Sequence, residues 1–322
     1  MFRRSNYLIL LLILAMFVTV ACSKEASQVD NSHVDLEDNA SYYTFTDALD
    51  NTVVLEEAPK RVVALVGSYA ETWKLAGGDL VGVTDDVVSE KRFELTDDIK
   101  IVGTIKEPNV EEVLSLSPDF VLLSPDVENH IKISDILKNA NIPHAFFKVE
   151  YFDGYLHMLD ICTDITGNKD LYEENGLRVQ EEINDILSKI DTTKNPSVLF
   201  VRAFSSGAKA KKDDNMTCKI LEELGTINIA AKHETLLEEL SIEEIIEEDP
   251  EYIFVTTMGN TEKAIEALKN GIEKNPAWSN LKAVKNDNYV ILPKELFHYK
   301  PNAKWGESYR YLAEIIYPEI FE

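Results

Sequence analysis

Two α/β lobes, each built on a mostly parallel sheet and joined by a long helical segment, are the fold this sequence predicts, and three observations lead there. The stretch Asn109-Val-Glu-Glu-Val-Leu-Ser-Leu-Ser-Pro-Asp-Phe-Val-Leu-Leu-Ser124 recurs in altered form as Ser241-Ile-Glu-Glu-Ile-Ile-Glu-Glu-Asp-Pro-Glu-Tyr-Ile-Phe-Val-Thr256. Short apolar runs with β-branched members alternate with helical patterns on both sides of the chain's middle, which is the signature of parallel sheets with crossover helices. Between them, Tyr155 to Ile190 carries Leu156, Leu159, Ile165, Ile183 and Ile186 on recurrent helical faces, without the polar, Gly-rich composition of a flexible linker. A chain of 322 residues also exceeds what one core usually holds.

Each copy of the repeated unit starts with an N-cap residue, Asn109 or Ser241, and places Glu112 or Glu244 at the third helical position, the layout of a capping box. A Pro (Pro118, Pro250) ends the short helix. An acidic residue and four apolar residues follow, Phe120 to Leu123 and Tyr252 to Val255, read as buried parallel strands. Each strand runs into a small hydroxyl residue, Ser124 or Thr256, and strand ends of this kind are where open α/β sheets bind ligands.

The other elements follow in chain order. Arg3 and Arg4, the apolar run Tyr7 to Val20 and the small Ala21 form a signal peptide over 1–21, and the polar residues 22–41 form a tether. The first lobe, 42–152, opens with a hairpin around Asp50-Asn51. It continues with a strand at Val62 to Val66, a helix after Gly67-Ser68-Tyr69, a strand at Leu80 to Thr84, the first repeat, a helix to Asn141 and a strand at Pro143 to Val149. Residues 153–194 form the helical strut, with a break near Gly167. The second lobe, 195–322, has a strand Val198 to Val201 that delivers Arg202 to Gly207 to its end. A basic loop Lys209 to Lys212 and a helix Met216 to Leu224 lead to the second repeat. A helix Glu262 to Lys274, a buried anchor at Trp278, a strand Tyr289 to Leu292, a loop Pro293 to Trp305 and a terminal helix complete it.

The formal net charge is −25, and −27 once Arg3 and Arg4 leave with the signal peptide. Such acidity excludes nucleic acid as a partner, since phosphate binding needs clustered Lys and Arg. After the leader, Cys162 and Cys218 are the thiols of the body, both in helical patterns and read as buried rather than disulfide-bonded; no cysteine or histidine set stands at zinc spacing. No catalytic motif such as G-x-S-x-G, H-E-x-x-H or a phosphate loop occurs, so no catalytic residue and no resident cofactor or metal is expected.

These features in this order resemble a solute-binding protein of bacterial ABC importers, of the class that takes siderophores, haem and cobalamin. The residues that carry the likeness are the Ala21-Cys22 lipobox, the entry from Thr46 to Leu65 ("TDALDNTVVLEEAPKRVVAL"), both E-x-x-x-x-x-P-D/E units, the single linking helix, and "NPAWSNLKAVKNDNYVILP" from Asn275 to Pro293. Thr19 departs from the lipobox, where Leu, Val or Ile is usual, and Asp50 stands where relatives tend to have Gly. The resemblance implies two Rossmann-like lobes, modest opening and closing, and no chemistry on the ligand. It implies lipidation of Cys22, placement on the outer face of the cytoplasmic membrane, and a monomer delivering an iron chelate (siderophore or haem) to a dimeric membrane permease. A corrinoid is the alternative ligand, and an exported lipoprotein hydrolase the reading from another class. By resemblance to the cobalamin-binding members, Glu111 and Glu243 match the pair that docks on the permease, one per lobe.

Ligand contacts are expected from loops at strand ends: Ser68, Tyr69 and Glu107 from the first lobe, and Arg202, Lys209 and Lys211 from the second. Arg202 ends a buried strand, where a charge is costly unless an anion or an internal carboxylate pairs with it. The cluster Phe297-His298-Tyr299-Lys300-Pro301 with Trp305 suits a flat ligand or a metal complex, and His298, Tyr299 and Trp305 complete the candidate set. The remaining histidines are scattered, which favours a chelated metal over a naked ion.

Overall fold

The computed structural model describes residues 41–212 and 214–321. The signal peptide, Cys22 and nearly all of the tether lie outside the described residues. The body opens with the expected hairpin, β1 (Tyr43–Thr46) antiparallel to β2 (Thr52–Leu55), whose turn is closed by Asp47: its carboxylate accepts from the backbone N–H groups of Leu49 and Asn51, both at 2.9 Å. Asp50 takes φ 60°, the left-handed conformation that an acidic turn residue tolerates.

Two separate five-stranded sheets follow. In the first, β3 (Val62–Ala64), β4 (Leu80–Val83), β5 (Lys100–Ile101), β6 (Phe120–Leu123) and β7 (His144–Phe146) are all parallel in the order β5-β4-β3-β6-β7. In the second, β8 (Ser197–Phe204), β10 (Ile227–Asn228), β11 (Tyr252–Thr257) and β12 (Tyr289–Ile291) are parallel in the order β10-β8-β11-β12. The fifth strand, β9 (Gly207–Ala210), pairs antiparallel with β8. The two copies of the repeat therefore supply corresponding strands, β6 and β11, to different sheets.

Alternate strand residues divide between apolar layers, because side chains point to opposite faces at every step. Val63, Leu65, Val121 and Leu123 enter an outer layer with Val113 of helix Val110–Ser115, and Leu199, Val201, Ile253 and Val255 enter another with Ile245 of helix Ile242–Glu248. The two outer layers are built from matching repeat positions. The opposite faces, through Val62, Phe120, Val198, Phe200 and Phe254, share one layer with the linking segment and with helix Trp305–Ile316.

The repeats match in backbone as well. Ser117 and Asp249, each just before the Pro, adopt φ 46° and 41°, a left-handed ending for both helices. The acidic residue after each Pro clamps the start of the neighbouring strand. Asp119 accepts from the N–H groups of Lys60 and Arg61, both at 2.8 Å, and Glu251 accepts from that of Ser197 at 2.9 Å.

Four expectations need correction. The capping boxes are only half formed: the Asn109 side chain accepts from the N–H groups of Glu111 and Glu112, and Ser241 from that of Glu244, but the reciprocal bonds are absent. The Asn109 N–H instead donates to Val102 O at 2.7 Å, and the Glu244 carboxylate accepts from the Thr235 hydroxyl. Arg202 to Gly207 is no strand-end loop, because β8 runs on to Phe204 and turns back into β9, so half of the basic stretch is strand. The 293–305 stretch contains a helical turn at Lys294–Phe297 and another at Asn302–Lys304. The linking segment is several helices: Phe152–Thr166 ends at Gly167 with φ 72°, and a π turn at Glu173–Leu177 precedes Arg178–Lys189. That turn brings Gly176 so close to Leu156 and Leu159 that a Cβ there would meet a Leu156 methyl at 2.8 Å. Cys162 and Cys218 are buried thiols without a disulfide, and Trp278 is the buried anchor its spacing predicts, its ring edge-on to Tyr289.

Candidate functional site

The loops at the carboxyl ends of the two sheets meet, and polar groups that sequence places far apart converge there. Arg202 of β8 lies in register with Thr256 of β11, so both side chains extend the face that carries Phe200 and Phe254. The Arg202 Nε and the Thr256 hydroxyl are buried, and neither has a hydrogen-bond partner among the described residues. No carboxylate of the described residues stands within ion-pair distance of Arg202, so the internal salt bridge that would explain a half-buried charge at a strand end is missing. His298 adds a third unpartnered buried atom, its Nδ1. Burial first, then the charges of Arg202 and Lys294, hold its pKa down at about 4, so the imidazole is neutral at physiological pH.

Lys300 brings a second cation. Its Nζ donates to the backbone carbonyl of Glu150 at 2.9 Å, and burial pushes its pKa down to about 8, a fall that Glu150 and Asp126 oppose and Arg202 reinforces. Tyr299 packs against His298 with ring centroids 5.2 Å apart.

A strap from the first sheet's loops fixes this loop in place. The Arg92 guanidinium, its side chain 8% exposed, pairs with Glu71 at 2.9 Å and Glu90 at 2.7 Å, donates to Lys300 O at 2.6 Å and lies 5.8 Å from the Tyr299 ring centre. Asn302 adds bonds to Ser68 O at 2.9 Å and to the Glu71 carboxylate at 2.7 Å. The cluster thus offers two cations and a neutral imidazole, with the Arg202 Nε, the His298 Nδ1 and the Thr256 hydroxyl unpartnered among the described residues, which is a constellation for an anion. Among the described residues no group of three or more His, Cys, Asp or Glu side chains is gathered to hold a bare metal ion.

Of the residues singled out from sequence, the structure brings Arg202, His298 and Tyr299 together. Tyr69 is 5% exposed and its hydroxyl donates to Phe147 O at 2.6 Å; burial pushes its pKa up to about 12, so it is a packed, neutral anchor rather than a surface contact. Ser68 is buried, with its carbonyl engaged by Thr72 and Asn302. Glu107 is exposed on a tight loop closed by the Gly103–Pro108 bridge. Lys209 reaches Glu238 at 3.6 Å and Lys211 pairs with Asp214, so neighbouring acids take both charges. Trp305 is 1% exposed and packs edge-on against Phe152, away from the cation cluster, because it opens helix Trp305–Ile316 on its buried side. Arg92 escaped the sequence reading, since nothing local marks it, and Lys300 was legible only as a member of the aromatic loop.

Glu111 and Glu243 are both exposed, one residue past the start of their helices at matching repeat positions, and neither forms an ion pair among the described residues.

A profile described as periplasmic binding protein matches residues 62–296, well over half of the chain. The chain belongs to the periplasmic binding protein family. Within reach of that family, it is 26% identical over 299 residues to the putative ABC transporter substrate-binding lipoprotein YhfQ of Bacillus subtilis, covering 88% of each chain. It is 28% identical over 279 residues to the Fe(3+)-citrate-binding protein YfmC of the same organism, covering 85% of each. Among solved structures, the iron uptake ABC transporter substrate-binding protein PiuA of Streptococcus pneumoniae superposes with a TM-score of 0.68 at 19% identity, covering 86% of this chain and 98% of that one. The last likeness concerns the fold. The family relatives are substrate-binding proteins of transporters, and several are named lipoproteins.

Proposed function

We propose that this protein captures an anionic iron chelate, a siderophore or haem, at the junction of its two lobes and hands it to a dimeric ABC permease without altering it. The observation that carries this reading is Arg202, a half-buried residue whose Nε is buried without a hydrogen-bond partner and which has no counter-ion among the described residues, beside Lys300, His298 and Thr256. A charge left unpaired in a fold is costly, and an anionic ligand removes that cost. The 28%-identical relative named for ferric citrate supports the same ligand class. In this reading residues 42–152 and 195–322 form the two jaws, 153–194 the strut, Cys22 carries the lipid that holds the monomer on the outer face of the cytoplasmic membrane, and Glu111 and Glu243 face the permease.

Calorimetric titration with ferric citrate, ferric catecholate and hydroxamate siderophores, haem and cobalamin tests it. One anionic chelate binds tightly and is recovered unchanged; binding of cobalamin alone, or hydrolysis of a bound ester, contradicts the proposal. The pH dependence has a definite sign. Lys300 is charged below about pH 8 and loses its proton above it, so affinity for the anion falls as pH rises through that value, and binding near pH 8 takes up protons.

A further inference from the structure

Lys300 follows the second sheet in the chain, yet both of its polar ends are held by residues that precede the linking segment. Its carbonyl accepts from the Arg92 guanidinium at 2.6 Å, and its Nζ donates to Glu150 O at 2.9 Å. Immediately upstream, the N–H groups of His298 and Tyr299 both donate to Lys294 O at 2.9 Å, within the second lobe. Immediately downstream, Asn302, 1% exposed and held at φ 51°, donates to Ser68 O and to the Glu71 carboxylate. The loop therefore passes from second-lobe to first-lobe anchorage between Tyr299 and Lys300, and Pro301 stiffens the part that the first lobe holds. We propose that Arg92 is a positioning residue for the anion site: it does not meet the ligand, and by gripping the Lys300 carbonyl it keeps that ammonium beside Arg202, so that the two cations form one site only while the first lobe holds its part of the loop. This rests on the reading of Lys300 as a ligand cation.

Arg92 is not itself a ligand cation, because its charge is already matched. Its Nε and Nη2 donate to Glu90 at 2.9 and 2.7 Å, its Nη1 donates to Glu71 at 2.9 Å, and its side chain is 8% exposed. Two carboxylates around one guanidinium leave a negative balance, which repels an anion. What Arg92 adds beyond that ion pair is the bond to Lys300 O, and an ionised donor makes it stronger than a neutral backbone bond. Restraint matters at this residue, since an ammonium on a flexible, strongly hydrated stem is drawn toward water. Burial holds the Lys300 pKa down at about 8, Arg202 lowers it as well, and Glu150 and Asp126 raise it. A Lys300 set free of the loop returns to the ordinary lysine value of about 10.4.

The first test needs no ligand. Protein carrying 13C at the lysine Cε positions is titrated by NMR, the Lys300 signal being the one that Lys300→Met removes. In the wild type it titrates at about pH 8. In Arg92→Lys, whose ammonium keeps a charge beside Glu71 and Glu90 but lacks the fork that also reaches Lys300 O, the midpoint moves up toward about 10.4. Arg92→Gln with Glu90→Gln, which removes the ion pair as a pair, gives the same rise and guards against a misfolded first variant. Calorimetric affinity for ferric citrate near neutral pH falls about tenfold in Arg92→Lys and in Lys300→Met, and no further when the two are combined, a coupling that a merely structural role does not produce. A wild-type midpoint at the ordinary lysine value, a midpoint that both Arg92 variants leave in place, or affinity losses that add in the combined variant overturn the proposal. A midpoint that rises in a protein binding no chelate supports the positioning and contradicts the ligand reading instead.

Discussion

The two copies of the repeated unit agree in their caps, their left-handed helix endings, their acidic clamps and the layer each helix packs on, yet they finish differently. In the first copy the hydroxyl residue is absorbed into its own loop: the Ser124 Oγ accepts from the Asp126 N–H at 3.3 Å and the Ser124 N–H donates to His130 Nδ1 at 3.0 Å. In the second copy the Thr256 hydroxyl has no partner among the described residues and lies in register with Arg202, whose Nε is likewise unpartnered among them. The difference teaches that duplication supplied the scaffold twice, while the polar groups left open for a ligand were concentrated on the second sheet. The first sheet contributes restraint instead, through Arg92, Glu71 and Ser68 O, which hold the 298–302 loop.

The likeness between the copies can be broken most completely at the permease. Glu111→Ala with Glu243→Ala is expected to abolish uptake of the iron chelate by cells while calorimetric affinity and thermal midpoint stay those of the wild type. In the proposed reading the permease presents two equivalent surfaces, so equivalent charges on the two lobes would serve one interface. If uptake falls only in proportion to the folded protein, the glutamates act as helix-start charges and nothing more.

A smaller effect sharpens the comparison at the clamps. The Asp119 carboxylate accepts from two backbone N–H groups, whereas the Glu251 carboxylate accepts from only one. Asp119→Ala is therefore expected to cost about 1–2 kcal/mol of unfolding free energy in urea, and Glu251→Ala roughly half of that, since hydrogen bonds to charged groups contribute on this scale before solvent competition at an exposed site. Equal losses would show that the clamps act through strand-entry geometry alone.

The clamps also show where sequence reading succeeds. A cap, a Pro, an acidic residue and a run such as Phe-Val-Leu-Leu act over a few residues, so the units, their strands and the parallel sheets were legible from pattern. β9 was hidden because Gly-Ala-Lys-Ala has no β-branched or aromatic member and is a strand only by pairing with β8. The strap was hidden because Arg92 and Lys300 are 208 residues apart. Tyr69 misled because its position at a strand end is correct, while the direction of its hydroxyl, inward to Phe147 O, is set by packing. Arg202 was legible as a costly charge, but whether a carboxylate neutralised it depended on tertiary structure.

The most direct test of the whole account is therefore Arg202→Gln, with stability and affinity measured on the same preparation. If Arg202 is kept for an anionic ligand, the variant unfolds at the same or higher urea concentration than the wild type, because a half-buried charge without a counter-ion has been removed. Its affinity for the iron chelate then drops about tenfold to a hundredfold, the equivalent of ~1.5–3 kcal/mol for a charge-assisted hydrogen bond. A variant that loses stability and binds the chelate as tightly as the wild type would contradict the account.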